Sequence, residues 1–246
     1  MEGMTNISKE EKLEYTGERL IPLDERCSKQ TKDYKEHLAR YRFASRFVKN
    51  CKVLDAACGV GFGSYELLRN NAKYVVGIDI SMEAIDYANT YYKKDRLKFL
   101  QMDATEMEFE KDTFDVVVSF ETIEHLKDQA KFISEVKRVL KKDGFIIISS
   151  PNKVRSPGKE NTNPFHVKEL LREEFFGLLH DNFETVMKYG QCAIYWRSLI
   201  EKIKFNSLSL LFIPFRKEMR DYFYPFPLLF NINCMFYIAI GRIKKE

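Results

Sequence analysis

Val53-Leu54-Asp55-Ala56-Ala57-Cys58-Gly59-Val60-Gly61-Phe62-Gly63 is the stretch whose reading decides the fold. Lys52-Val53-Leu54 supplies a short apolar run that closes on an acid, and Gly59, Gly61 and Gly63 let the backbone turn sharply and approach a ligand closely. Tyr65-Glu66-Leu67-Leu68-Arg69 then has helix-forming composition up to the stop signal Asn70-Asn71. Strand, glycine turn and helix in that order build a nucleotide-type pocket at the carboxyl edge of a sheet.

The sequence on either side repeats the alternation. Tyr74–Asp79 reads as a second buried strand ending in an acid, and Ser81 as the N-cap of a helix to about Tyr92 with Glu83 in its first turn. Leu97–Asp103 is a third strand closing on an acid, and Phe114–Phe120 a fourth that runs into Glu121-Thr122-Ile123-Glu124-His125. An amphipathic helix over Gln129–Leu140 stops at Lys141-Lys142-Asp143-Gly144, and a fifth strand over Phe145–Ser150 halts at Pro151-Asn152. A polar loop over 153–166, a helix through Leu170, Leu171 and Leu178, a weak strand near Phe183–Tyr189 and a final strand over Cys234–Ile240 follow. Upstream, Asp33–Val48 reads as a helix with Leu38, Tyr41, Ala44 or Ser45, and Val48 along one stripe, preceded by a turn-rich Tyr15–Pro22 and a charged, solvated arm over 1–14.

This pattern predicts an α/β fold: a Rossmann-like, seven-stranded, mostly parallel sheet with helices on both faces, an N-terminal helical cap and an insertion before the last strand. The expected divisions are an arm and cap helix over 1–50, a core over 51–190, an insertion over 191–230 and a last core strand over 231–246. The insertion, rich in Phe, Tyr and Leu, reads as a substrate lid, as the surface of a homodimer, or as extra core packing.

Composition narrows the class. At 246 residues, 45% hydrophobic and 31% charged, the chain has the balance of an ordinary globular domain with a sizeable core. A net charge of +4 is too small to argue for nucleic acid. Cys27, Cys51, Cys58, Cys192 and Cys234 form no CxxC pair and are odd in number, so neither a zinc site nor a disulfide framework follows, and a cytoplasmic setting is expected. Met1–Glu14 lacks an apolar signal core, and Leu208–Phe215 is far too short to span a membrane.

Asp55, Asp79 and Asp103 end three successive strands and so place three carboxylates along one sheet edge. A carboxylate that accepts both hydroxyl hydrogens suits a ribose diol, and Asp79 stands at the position for that acid. The spacing Gly59-x-Gly61-x-Gly63 departs from the dinucleotide fingerprint GxGxxG, because Ser64 stands where its third glycine belongs. An acid at Asp55, close to the turn, suits a cationic cofactor better than a pyrophosphate. S-adenosylmethionine, with a sulfonium, an ammonium and a ribose but no phosphate, meets these conditions.

The motifs VLDAACGVGFG, VVGID, MDA and FDVVVSFETIEHL, over roughly Val53 to Ser150, resemble the class I S-adenosylmethionine-dependent methyltransferases. The resemblance implies that Gly59 and Gly61 face the methionine part, Asp79 the ribose, Asp103 with Ala104 the adenine, and Phe120 the sulfonium, with Asp55, Ala56 and Ile80 completing the pocket. Thr16–Pro22 (TGERLIP), Glu36–Ala44 (EHLARYRFA), Ser150–Lys153 (SPNK) and Asn163–Leu170 (NPFHVKEL) look like a bacterial subgroup that accompanies glycosyltransferases and surface-polysaccharide genes. In that subgroup the N-terminal helix caps the cofactor, which implies contact through Tyr41 and Arg40; Tyr41 also lies on the apolar stripe and reads equally as core.

Glu121-x-x-Glu124-His125 follows the fourth strand, and three- and four-residue spacings share a face if the turn is helical. His166 lies in the loop after the fifth strand, so Glu121, Glu124, His125 and His166 form a candidate site for Mg²⁺ or Mn²⁺. The pattern is similar to that of small-RNA 2′-O-methyltransferases and ubiquinone-pathway O-methyltransferases, where ExxEH residues bind a divalent ion. Without a metal, Glu124 and His125 shape the pocket and His125 serves as general base. The expected reaction is methyl transfer to a hydroxyl of a small molecule: a sugar, a nucleotide-sugar or a surface-glycan intermediate. The alternatives are N-methylation of an aminosugar, O-methylation of a quinone precursor, RNA 2′-O-methylation, and a non-catalytic or redox nucleotide-binding protein.

Overall fold

The central strands are apolar at almost every position because both of their faces are covered. Val53, Leu54, Val75, Val116, Val117, Val118, Ile146, Ile147 and Ile148 are all fully buried, the pattern of a parallel sheet between two helical layers. The computed structural model describes residues 20–22, 31–154, 163–193, 225–228 and 234–243. The expected arm, most of Tyr15–Pro22, the middle of the 153–166 loop and nearly all of the 191–230 insertion lie outside the described residues.

In chain order the elements are α1 (Lys32–Ala44), β1 (Lys52–Ala56), α2 (Phe62–Arg69), β2 (Tyr74–Asp79), α3 (Met82–Tyr91), β3 (Leu97–Gln101), β4 (Phe114–Ser119), α4 (Gln129–Val139), β5 (Leu140–Pro151), α5 (Arg172–Asn182), β6 (Thr185–Ala193), β7 (Phe226–Pro227) and β8 (Cys234–Arg242). The sheet order is β3-β2-β1-β4-β5-β8-β6-β7. β1 to β5 pair in parallel, whereas β8 runs antiparallel to both β5 and β6. This is the expected mostly parallel, seven-stranded sheet, with the two-residue β7 added at the β6 edge.

Side-chain alternation sorts the core into two layers. Leu54, Val76, Ile78, Val117, Ile146 and Ile148 pack with Phe132, Ile133 and Val136 of α4 and Phe175 and Leu179 of α5. Val53, Val75, Val116, Val118 and Ile147 pack with Tyr41 and Phe43 of α1, Leu67 of α2 and Ile85 of α3. The strand order reverses beside β1, which pairs with β2 on one side and β4 on the other. That reversal opens a crevice at the carboxyl ends of the strands, where ligands bind in such sheets.

Several boundaries differ from expectation, and α5 starts only at Arg172, so Leu170 and Leu171 precede the helix, with Leu171 as its N-cap. β5 begins at Leu140 and takes in Lys141–Gly144, read from sequence as a turn. The pairing jumps from Leu140 opposite Phe114 to Phe145 opposite Val116, so the extra residues form a bulge inside a continuous strand. β6 continues through Ala193 because it pairs with β8 along its whole length, to Ala193 opposite Cys234, which carries the core past residue 190. α1 stops at Ala44 with Ser45 as its C-cap, yet Val48 beyond it is still fully buried.

Candidate active site

The turn after β1 is built on two left-handed glycines, Gly59 (φ 55°) and Gly61 (φ 84°), a conformation that costs a residue without Cβ nothing. They serve different ends. A Cβ at Gly59 would meet nothing within 4 Å, so the turn is open there, whereas one at Gly61 would fall 2.6 Å from the Phe99 ring and 2.8 Å from Ala88. Gly63 makes room for the cap helix: a Cβ there would lie 2.0 Å from Cζ of Tyr41.

Asp79 clamps this turn to the start of α3. Its Oδ2 accepts from the Gly59 N–H at 2.8 Å and its Oδ1 from the Ser81 N–H at 3.0 Å. Ser81 is the N-cap of α3, as expected, its hydroxyl accepting from the Ala84 N–H at 3.2 Å. Asp55 is fully buried; it accepts the Ser64 hydroxyl at 2.6 Å and the Tyr41 hydroxyl at 3.2 Å to each oxygen. Burial raises its pKa from 3.8 to about 7, with the Asp79 charge adding to the rise, against the two hydrogen bonds that favour the carboxylate. Burial likewise holds the Tyr41 phenol well above its ordinary value, with the Asp55 charge second.

The other expected pocket residues line the same edge. Asp103 follows β3 and accepts the Thr105 N–H at 2.7 Å and the Thr105 hydroxyl at 2.8 Å, both on Oδ1. Ala56 and Ala104 are buried, and Ile80 is 70% exposed, far outside the usual range for an isoleucine. The Phe120 ring lies 5.1 Å from that of Tyr41, edge to face. The edge thus presents carboxylates for a diol or a cation, an open glycine turn and an aromatic floor. Ser64, noticed in sequence only as a missing glycine, holds Asp55; no spacing rule announces that contact across nine residues.

Beside this edge, after β4, a short 3-10 turn spans Ile123–His125. Glu124, His125 and His166 each offer a ligand atom, and these atoms all lie within 4.8 Å of one another. Glu124 is fully buried, and among the described residues neither of its carboxylate oxygens has a hydrogen-bond partner. Its pKa is held well above the carboxylate range by burial, with the Glu121 charge second. His125 Nδ1 lies 3.0 Å from the Phe165 carbonyl, which can only accept, so this nitrogen is the donor, and Nε2 lies 3.9 Å from Glu124 Oε1. His166 pairs through Nδ1 with Glu169, three residues on, and its Nε2 faces the Asn163 amide at 3.0 Å. The backbone N–H groups of Val167 and Lys168 donate to the Glu124 carbonyl, which fastens the His166 loop to the turn.

Glu121, expected in the same cluster, is not part of it. Its backbone is left-handed (φ 52°), so the helical spacing that would align it with Glu124 and His125 is broken. Its carboxylate accepts the Ser149 hydroxyl at 2.6 Å, while its N–H donates to the same oxygen. Glu169 and Ser149 are the partners that sequence reading missed; the three-residue step from His166 to Glu169 was the one available signal.

A family model described as a methyltransferase domain matches residues 47–207. The chain belongs to that family. A Mycobacterium tuberculosis protein named "Probable S-adenosylmethionine-dependent methyltransferase" is 36% identical over 175 residues, covering 69% of this chain and 60% of its own length. A ubiquinone biosynthesis O-methyltransferase of Pelagibacter ubique is 38% identical over 115 residues, 46% of this chain and 48% of its own. The chain therefore spans about 60% of the length of the mycobacterial relative. Among solved structures, an S-adenosylmethionine-dependent methyltransferase of Thermotoga maritima shares the fold with a TM-score of 0.61 at 15% identity, over 85% of this chain and 89% of that one. The YcgJ protein of Bacillus subtilis does so with a TM-score of 0.58 at 19% identity, over 84% and 98%. The expected Rossmann-like methyltransferase fold is the observed one.

Proposed function

We propose that this chain transfers the methyl group of S-adenosylmethionine to a hydroxyl oxygen of a small acceptor, of the sugar, nucleotide-sugar or surface-glycan class. The observation that carries the reading is that Glu124 and His125, just after β4, meet His166 from the loop after β5, at the strand ends beside Asp55, Asp79 and the glycine turn. Fit to the cofactor is supported by the open space over Gly59 and by Asp79, whose two oxygens each accept one backbone N–H and keep a second lone pair for a diol. Asp103 and Ala104 would hold the adenine with Ile80 across from them, and Asp55 suits an ammonium. The Tyr41 and Phe120 rings suit a sulfonium by cation–π attraction. When bound, S-adenosylmethionine supplies a methyl group open to in-line attack by an oriented oxygen.

The chain's own contribution is orientation and proton removal. His125 is positioned by the Phe165 carbonyl to receive the hydroxyl proton at Nε2. A Mg²⁺ or Mn²⁺ ion held by Glu124, His125 and His166 would instead lower the hydroxyl pKa as a Lewis acid. The partnerless, buried carboxylate of Glu124 supports that role, since a buried acid without hydrogen bonds is costly unless something pairs with it. Carbohydrate as the acceptor rests on the subgroup resemblance. O-methylation of a quinone precursor is a second reading, favoured by the similarity to the ubiquinone biosynthesis enzyme. No described helix is long and apolar enough to cross a membrane.

The test is transfer of labelled methyl from S-adenosylmethionine to a panel of sugars, nucleotide-sugars, aminosugars, catechols and short RNA. Transfer to a sugar hydroxyl is expected, falling at least tenfold in EDTA and recovering with Mn²⁺, and equally low in Glu124→Gln. Full activity in EDTA together with an active Glu124→Ala would end the metal reading and leave His125 as base. Transfer to catechol or RNA alone would overturn the sugar acceptor.

A further inference from the structure

Arg40 is a fully buried cation on α1, and its surroundings use only part of it. Nη1 donates to Gln191 Oε1 at 2.6 Å, and Gln191 is itself held by its Nε2 donating to the Glu36 carbonyl at 2.9 Å. The face of the guanidinium lies over the Phe236 ring, 4.7 Å from its centroid. Nε and Nη2 are buried and, among the described residues, have no hydrogen-bond partner. These two nitrogens share one edge of the planar group, the edge that binds a carboxylate or a phosphate through two parallel N–H···O bonds. One edge is tethered, one face is stacked, and the two-donor fork is left over.

The position of this fork is informative. Gln191 belongs to β6 and Phe236 to β8, and Arg40 acts electrostatically on the buried Glu124. Both Tyr41 and Arg40 were expected at the cofactor from the resemblance, but the two diverge: Tyr41 points to Asp55 on β1 and to Phe120, whereas Arg40 turns away from them to Gln191 and Phe236. The cap helix therefore sends one side chain toward the β1–β2–β3 half of the edge, where the cofactor residues stand. It sends the next toward the β8–β6 half, against Gln191 and over Phe236, which stands opposite Pro151 at the carboxyl end of β5.

We infer that Arg40 is a binding residue for an anionic group, a carboxylate or phosphate, carried by the methyl acceptor close to the hydroxyl that is methylated. The inference rests on the methyl-transfer reading and adds to it that the acceptor is acidic. Leaving two buried guanidinium donors unpaired is unfavourable, and an acceptor anion is the ligand that satisfies both at once. A neutral analogue of the same skeleton leaves them unpaired and is rejected, which makes Arg40 a specificity determinant.

The test is calorimetric titration of the intact protein with inorganic phosphate and with glucuronate, with glucose as control, each with and without saturating S-adenosylhomocysteine. The expected result is that the anions bind and glucose does not. Arg40→Gln should weaken anion binding at least tenfold while changing S-adenosylhomocysteine affinity less than twofold. Arg40→Lys keeps the charge without the fork, guards against a folding failure in Arg40→Gln, and should fall between the two. If the substitutions weaken S-adenosylhomocysteine instead and leave the anions alone, the fork belongs to the cofactor's carboxylate and the inference is overturned. Anion binding that is absent, or equal in all three proteins, overturns it too. Failure of S-adenosylhomocysteine to bind the unsubstituted protein would sink the methyl-transfer reading separately, since the anion titration is also run without it.

Discussion

Asp55 shows how a single residue can hold a site together and weaken the fold at once. Its carboxyl keeps a proton up to about pH 7 in the folded chain but loses it near 3.8 when unfolded. The stabilising contribution is therefore complete below the unfolded value and is lost as pH rises through 7, a difference on the order of 4 kcal/mol. Asp55→Asn removes the titration. Its stability relative to the unsubstituted protein should rise steadily in urea unfolding from pH 4 to pH 7.5, and a difference constant across that range would refute the assignment. A cationic cofactor beside Asp55 would favour the carboxylate, so the same acid that costs stability in the free protein becomes an attraction in the complex.

Among the elements, α1 is fixed by contacts that its own composition does not announce. Tyr41 reaches Asp55 on β1, Arg40 reaches Gln191 on β6, and Gly63 of α2 leaves the gap into which the Tyr41 ring fits. Gly63→Ala puts a methyl group 2.0 Å from the ring, so it should cost about 1–3 kcal/mol by overpacking and weaken S-adenosylhomocysteine binding as Tyr41 is displaced. Tyr41→Phe keeps the ring and loses only the bonds to Asp55, for roughly 1 kcal/mol. Equal losses in the two variants would mean that packing against Gly63 matters no more than the hydroxyl. In α4 the division between faces is simpler. Phe132 is fully buried under β4 and β5, and Phe132→Ala should cost about 3–5 kcal/mol in denaturant unfolding. Exposed Ser134→Ala on the same helix should stay within about 0.5 kcal/mol.

At the scale of the molecule, the ligand edge joins both halves of the sheet, so a ligand seated there ties α1, the β1 turn and the β2 end into one unit. S-adenosylhomocysteine at a hundredfold excess over its Kd should stabilise the chain by about 2.7 kcal/mol. That corresponds to a rise of roughly 5–10 °C in Tm, and NADH should produce none. A shift with NADH of the same size would favour the redox alternative over methyl transfer. On the proposed reading, the open turn at Gly59 and the clamp from Asp79 let this edge take a nucleoside without a phosphate-binding third glycine.

Periodicity made most of the fold legible. Runs such as Val116-Val117-Val118 and Ile146-Ile147-Ile148 can be buried on both faces only in a sheet covered twice, and each run announced its own strand. The order of acids at 55, 79 and 103 likewise placed three carboxylates at the ends of neighbouring strands, because a strand end is a position in sequence as much as in space. What the sequence by itself determined was therefore local: strand, turn, helix and the sheet edge on which the three acids stand. Tertiary structure decided everything that depends on residues far apart in the chain meeting. It joined His166 to Glu124 and His125 across the loop after β5, turned Glu121 away to Ser149 through one left-handed residue, and carried β6 past residue 190 by pairing it with β8. It also set Arg40 against Gln191, 151 positions away. The physical reason is range: backbone propensity and burial pattern act over a few residues, whereas hydrogen bonds and charge pairing depend on distances that only the folded chain sets.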